Sequence, residues 1–233
     1  MLLPHMVIKM SQKTKKPKNK AVLALILVFT PAIILVFFSS IGLEHKFQKL
    51  DDFGAVKPFT FIDAENNARS SSEFKNDIVL ITTIQNDCPN ACAISLWHLN
   101  QLIYQHVRKN AHKQMKQVRI ISFLTDGKGE PLKNLNEIKL ALNDLAEGYD
   151  PNLWILANGN TREIYNISNN GQTLLQKGDK YFGGEAFQEL MLLIDKSGHL
   201  RMVLPGNEEG LIRRMKENIA LLQKEYDKLK SQK

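Results

Sequence analysis

From Ala21 to Leu43 the chain runs for 23 residues without a charge: AVLALILVFTPAIILVFFSSIGL. At about 1.5 Å per residue a helix over this stretch reaches roughly 35 Å, against about 30 Å of bilayer hydrocarbon. No polar stripe interrupts it, as one would in a helix burying a single face on a soluble core. Pro31 falls in the middle, where membrane helices tolerate proline, often with a kink. Six lysines (Lys9, Lys13, Lys15, Lys16, Lys18 and Lys20) and no acid precede the stretch, and Glu44 follows it. The positive-inside rule then makes residues 1–20 a basic cytoplasmic tail and 21–43 a transmembrane anchor in the cell membrane. Everything beyond lies on the periplasmic or equivalent extracytoplasmic side. A cleaved signal peptide has an apolar region of about 7–15 residues and a small-x-small cleavage site. This stretch is longer, and Phe38-Ser39-Ser40-Ile41 makes a poor site, so a retained anchor is expected.

The net charge of +7 belongs to that tail. Setting its six lysines aside leaves 25 basic residues against 24 acidic ones in the rest of the chain. The exported part has no surplus charge with which to track a phosphate backbone, which argues against a nucleic-acid partner.

Residues 44–57, mixed in charge and followed by Pro58, read as a linker. Beyond them FTFIDAENN is a short alternating strand running into a turn, as in a hairpin or sheet edge. Asp77–Gln85, DIVLITTIQ, and Val118–Leu124, VRIISFL, are continuous apolar, β-branched runs, the pattern of strands buried on both faces. A helical pattern spans Ala91 to Lys116, with Ile94, Leu99, Leu102, Ile103 and Val107 on its apolar side. A second helix is predicted over 132–147, a strand over 152–156 and a short helix over 161–167. Leu190–Asp195 and His199–Leu204 form a hairpin around Lys196-Ser197-Gly198. The last helix, from Glu208 to about Lys230, carries Leu211, Met215, Ile219, Leu222, Tyr226 and Leu229 at helical spacing. Residues 58–207 thus form one α/β domain with a mixed central sheet, and 208–233 an amphipathic helix lying on it.

The chain has two cysteines, in Asn86-Asp87-Cys88-Pro89-Asn90-Ala91-Cys92. They fall where the first buried strand ends and the first long helix begins, the usual place for a site in an open α/β sheet. Pro89 suits the first position of a helix, which makes Cys88 the N-cap. There the positive end of the helix dipole favours a thiolate. Cys92, four residues on, shares its face. Such a pair can close a disulfide or hold one soft ion such as Cu(I). The alternative is a structural staple, although a five-residue ring constrains little of the unfolded chain.

With these residues in view the sequence resembles the Sco/SenC family of membrane-anchored, thioredoxin-fold proteins that assist assembly of the copper site in respiratory oxidases. The resemblance spans roughly residues 58–222. It rests on the Cys-Pro-x-x-x-Cys stretch at Cys88 to Cys92, on Val118 to Asp126, on Asn152 to Ser168, and on LLIDKSGHLR at Leu192 to Arg201. It implies a thioredoxin-like fold and copper bound by Cys88, Cys92 and a histidine just before the terminal hairpin. That histidine falls at Phe187, and no histidine occurs between His112 and His199. Met191, His98 and His199 are substitutes to weigh, each with an ordinary packing or surface role as the alternative.

Asp87, Asp126 and Gly183-Gly184 are candidates for the surroundings of the thiols, and Trp97 and Trp154 read as packing residues. Three readings stay open. Cys88 and Cys92 cycle as a redox-active disulfide, Cys88 attacking and Cys92 resolving, in exchange with an oxidase subunit or a companion copper chaperone. Alternatively the two thiolates carry Cu(I) with a non-standard or partner-supplied third ligand, or the domain is an interaction scaffold.

Overall fold

The computed structural model describes residues 19–41, 49–86, 94–111, 117–169, 172–177 and 186–231. The chain divides into two compact units, Met1–Phe47 and Gln48–Lys233.

The first unit holds one helix, α1 (Asn19–Ile41), with Pro31 inside it. Residues 25–36, the part whose side chains are described, are all exposed. That part rises about 18 Å, and among the described residues no helix is long and apolar enough to cross a membrane.

The second unit is built on a seven-stranded sheet in the order β2-β1-β5-β4-β3-β8-β9. Its centre is β3 (Ile78–Gln85) beside β4 (Val118–Thr125), parallel and in register from Ile78↔Val118 to Gln85↔Thr125. All eight residues of β3 are buried, as its unbroken apolar run predicts. β5 (Trp154–Asn158) continues the parallel set. β1 (Thr60–Asp63) pairs antiparallel with it and with β2 (Ala68–Ser70). On the other side β8 (Leu190–Ile194) and β9 (Leu200–Pro205) form the antiparallel hairpin read from the sequence.

Alternation along β3 divides the core. Ile78, Leu80 and Ile84 face a helical layer, whereas Val79 and Ile81 face an aromatic-rich one with Phe59, Phe123 and Phe187. The helical layer is made by the segment after β3, by α4 (Asn136–Leu145) and by α6 (Glu209–Ser231). Burying one Leu, Ile or Phe side chain contributes roughly 1.5–3 kcal/mol. Three polar side chains inside this core pair with one another. Thr82 Oγ1 and Ser122 Oγ lie 2.6 Å apart, and Trp154 Nε1 donates to Ser122 Oγ at 2.9 Å.

The long helix predicted from Ala91 differs in two respects. Ile94 and Ser95 are not helical, and the helix begins at α2 (Leu96–His98). It then widens to a π-helical turn over Leu99–Tyr104 before α3 (Gln105–Asn110). A π turn aligns residues five apart. Here Gln105 Nε2 donates to Asn100 Oδ1 (3.2 Å) and Glu147 O (3.2 Å), while Asn100 Nδ2 donates to Leu145 O (3.1 Å). The wide turn therefore lets two buried amides satisfy the end of α4.

Shorter elements were less legible. α5 (Thr161–Ile164) is capped by Asn160, whose side chain accepts from Glu163 N. The two-residue strands β6 (Ser168–Asn169) and β7 (Gln172–Thr173) form a small separate hairpin. On α6 the buried row runs through Ile212, Met215, Ile219 and Leu222, whereas Leu229 is exposed. The linker reading of 44–57 is corrected over residues 50–56, which bind along the start of β9. Phe53 N donates to Leu200 O, Leu200 N to Gly54 O, and Val56 N to Gly198 O, each at 2.9 Å. The Arg201 guanidinium donates to Leu50 O (2.7 Å), Asp51 O (2.9 Å) and Asp195 Oδ2 (2.9 Å).

Candidate functional site

β3 and β4 end side by side. Asn86 N donates to Thr125 O at 3.0 Å, one residue beyond the Gln85↔Thr125 pair. The chain then enters residues 87–93, which hold Cys88 and Cys92. This segment lies outside the described residues, as do the expectations for Asp87, Pro89 and Gly183-Gly184. The description resumes at Ile94, buried against Gly206, where a Cβ would come within 2.8 Å of its side chain. Ser95 N donates to Gly206 O (3.4 Å), and Gly206 N to Glu189 O (2.7 Å). Both flanks of the cysteine segment therefore stand at the carboxyl end of β3.

The helix beyond has its own cap. Ser95 is extended, and its Oγ accepts from His98 N at 3.3 Å. Ser95 caps this helix, whereas the expectation that Cys88 is an N-cap lies outside the described residues.

Under the same sheet edge lies a buried polar node that the sequence reading missed. Gln188, fully buried, sits in a 3₁₀ turn over Ala186–Glu189. With its amide oriented so that the oxygen meets donors and the nitrogen meets acceptors, Gln188 donates to Asp126 O (3.1 Å) and Thr125 Oγ1, and accepts from Gln85 Nε2 (3.3 Å) and Gly129 N (3.1 Å). Thr83 Oγ1 donates to Gln188 O at 2.6 Å. The available signal was polar Thr83, Gln85 and Thr125 ending two otherwise apolar strands. Gly129 has φ +83°, and a Cβ on it would lie 2.7 Å from the Phe187 ring. Asp126 turns the chain here, Oδ1 accepting from Lys128 N (2.8 Å) and Glu130 N (2.9 Å).

Phe187, at the position of the family's histidine, and the three substitutes Met191, His98 and His199 all lie among the described residues. Phe187 is fully buried on the aromatic face, 5.3 Å from the Tyr165 ring and 5.6 Å from the Arg162 guanidinium. Met191 is fully buried in the helical-layer core. His98 Nε2 lies 3.8 Å from Glu209. His199 Nδ1 lies 2.9 Å from Asp52, a hydrogen bond that raises the imidazole pKa and lowers that of the carboxyl. Among the described residues no three His, Cys, Asp or Glu side chains gather as a metal site. Trp154 is fully buried, as expected, but Trp97 is 55% exposed, which corrects its reading as a packing residue.

A mixed sheet with helices across one face, and a cysteine pair in the segment leaving its central strand, defines a thioredoxin-like α/β protein. The SCO1/SenC family model matches residues 48–222, and the chain belongs to that family. Among solved structures, BsSco, described as a member of the Sco family of cytochrome c oxidase assembly proteins with a disulfide switch, is 19% identical. The match covers 76% of this chain and 98% of BsSco, with a TM-score of 0.51. A SCO1/SenC family lipoprotein from Bacillus anthracis is 20% identical over 70% of this chain and 94% of its own, TM-score 0.47. ScoI from Bradyrhizobium japonicum with copper bound is 16% identical over 72% and 99%, TM-score 0.45. No curated protein matches the chain.

Proposed function

We propose that this chain is a membrane-anchored, extracytoplasmic thiol protein that exchanges disulfides during assembly of a respiratory oxidase copper site. The anchor reading rests on the uncharged stretch 21–43 behind its lysine-rich flank. The exchange reading is carried by one observation. The family's two cysteines are kept, in the segment that leaves the carboxyl end of β3, while the place of its histidine holds a buried Phe187. Exchange needs only two sulfurs. One thiolate attacks a partner disulfide, forming a mixed disulfide and releasing a partner thiolate. The second then attacks the mixed disulfide and releases the other partner sulfur, so the partner gains two electrons and this chain closes Cys88–Cys92. The description of BsSco as an oxidase assembly protein suggests an oxidase subunit or a copper chaperone as partner.

A second reading, Cu(I) carriage by the two thiolates with a ligand from a partner, is favoured by their softness. Two measurements separate the readings. Cys92→Ser and Cys88→Ser chains are expressed in cells, and thiol-sensitive adducts are sought. Exchange predicts an adduct from one variant, identifying the attacking sulfur, and none from the double variant. Anaerobic Cu(I) titration against a chelator supports carriage if the full chain binds one ion tightly and Cys88→Ser abolishes it. Absence of adducts from both single variants refutes exchange.

A further inference from the structure

We propose that a cavity on the aromatic face of the sheet is a binding site for a small carboxylate with an apolar body. Its volume is about 240 Å³. Val79, Ile121 and Ile194, one residue each from β3, β4 and β8, line it together with the rings of Phe59 and Phe74. Interiors packed to ordinary density hold few voids larger than a water molecule, and an apolar cavity of about 150 Å³ stays dry and takes up benzene. A guest of roughly one ring with a short arm therefore suits this one. The cavity is held open because its parts are pinned. The Phe59 ring lies 6.0 Å from that of Phe123, and the Phe74 ring 6.3 Å from that of Phe61. Val56 N donates to Gly198 O (2.9 Å), Phe59 N to Ser71 Oγ (3.0 Å) and Ser71 N to Phe59 O (2.9 Å).

Charge selects the other end of the guest. Lys57 and Lys75 also line the cavity, both exposed and, among the described residues, neither in an ion pair. Asp195, the acid that lines it, is already matched, since its carboxylate accepts from Arg201 Nη1 (2.9 Å), Ser197 N (2.8 Å) and His199 N (3.0 Å). An apolar interior with two exposed ammoniums at its border fits an anion that carries an apolar body. The site does not depend on disulfide exchange, because Val79 is the second residue of β3 and the cysteine segment follows the last.

The test titrates the full chain in nonionic detergent with para-fluorophenylbutyrate, followed by fluorine NMR, and with para-fluorophenylbutanol as the uncharged counterpart. Uptake by empty micelles is subtracted. Val79→Phe fills the cavity from the sheet, and Ser72→Trp covers it from an exposed position. Each lowers affinity for the butyrate about tenfold or more, and Ser72→Trp keeps the test decisive where Val79→Phe does not fold. Lys57→Met combined with Lys75→Met weakens the butyrate about threefold or more and leaves the butanol within about twofold. Wild type that takes up no more butyrate than empty micelles overturns the site, as does binding that a folded cavity variant leaves intact. An equal loss of both probes in the lysine variant overturns the carboxylate assignment. Each of these outcomes leaves the exchange reading where it stood.

Discussion

Replacing Phe187 by histidine puts the residue implied by the family resemblance back at its sequence position. The surroundings of Phe187 argue that it does not restore a copper ligand. The ring is fully buried on the aromatic side of the sheet, against Tyr165 and under Arg162, whereas the helix that follows the cysteines packs on the other side. A histidine at this site exchanges an apolar ring for a polar one among apolar neighbours. Removing a buried Phe altogether costs roughly 3–5 kcal/mol, and imidazole recovers part of that volume while burying unpaired nitrogen at about 1–3 kcal/mol. The net expectation is a loss of about 2–4 kcal/mol in urea unfolding of the full chain in detergent. In anaerobic competition against a Cu(I) chelator, the variant should bind no more than twofold tighter than wild type. A tenfold gain, about 1.4 kcal/mol, with unfolding unchanged would refute the reasoning, because it would place position 187 at the thiols.

Three further outcomes follow from the described contacts. Arg201→Met leaves Asp195 buried with only the Ser197 and His199 backbone donors. It should cost about 3 kcal/mol in urea unfolding and expose residues 50–56 to proteolysis, and a loss below about 1 kcal/mol would contradict the assignment. Gly129→Ala sets a Cβ at φ +83° within 2.7 Å of the Phe187 ring, so about 2–4 kcal/mol of destabilisation is expected, and a neutral result would show that the turn moves freely. His199 has a raised pKa through Asp52, whose own is lowered. The pair stabilises above about pH 3.8 and below about 6.5 and is lost as pH rises through the elevated histidine value. The difference in melting temperature between wild type and His199→Asn should therefore shrink from pH 5.5 to pH 8.5, and a constant difference would exclude the ion pair.

Much of the scaffold could be read directly. The runs that became β3, β4 and the β8–β9 hairpin are dense in β-branched and aliphatic residues, and burial on both faces leaves no other use for such a sequence. The helix after β3 was misjudged at its start because Ser95, an ordinary residue inside an apolar pattern, proves to be a cap. Its π turn follows from Asn100 and Gln105 reaching carbonyls more than 40 residues away, which no local window contains. Residues 50–56 looked like spacer because their partners lie about 150 residues on, at Leu200 and Arg201. At the site, the cysteine pair was evident from its spacing, and the missing histidine from the family resemblance. The glutamine node was not, since Gln85 and Gln188 have meaning only once three chain segments are brought together.

The grip of Arg201 on Leu50 and Asp51 also fixes where this stretch of chain meets the sheet. That grip is at the hairpin end of the sheet, near the first residues of β3, and the eight residues of β3 separate it from Asn86. At about 3.3 Å per residue the separation is roughly 26 Å. Leu50 and Asn86 therefore stand at opposite ends of the central strand. A molecule docking where β3 ends leaves the packing of residues 50–56 on β9 untouched, and a pull on Leu50 loads the hairpin before it strains Asn86.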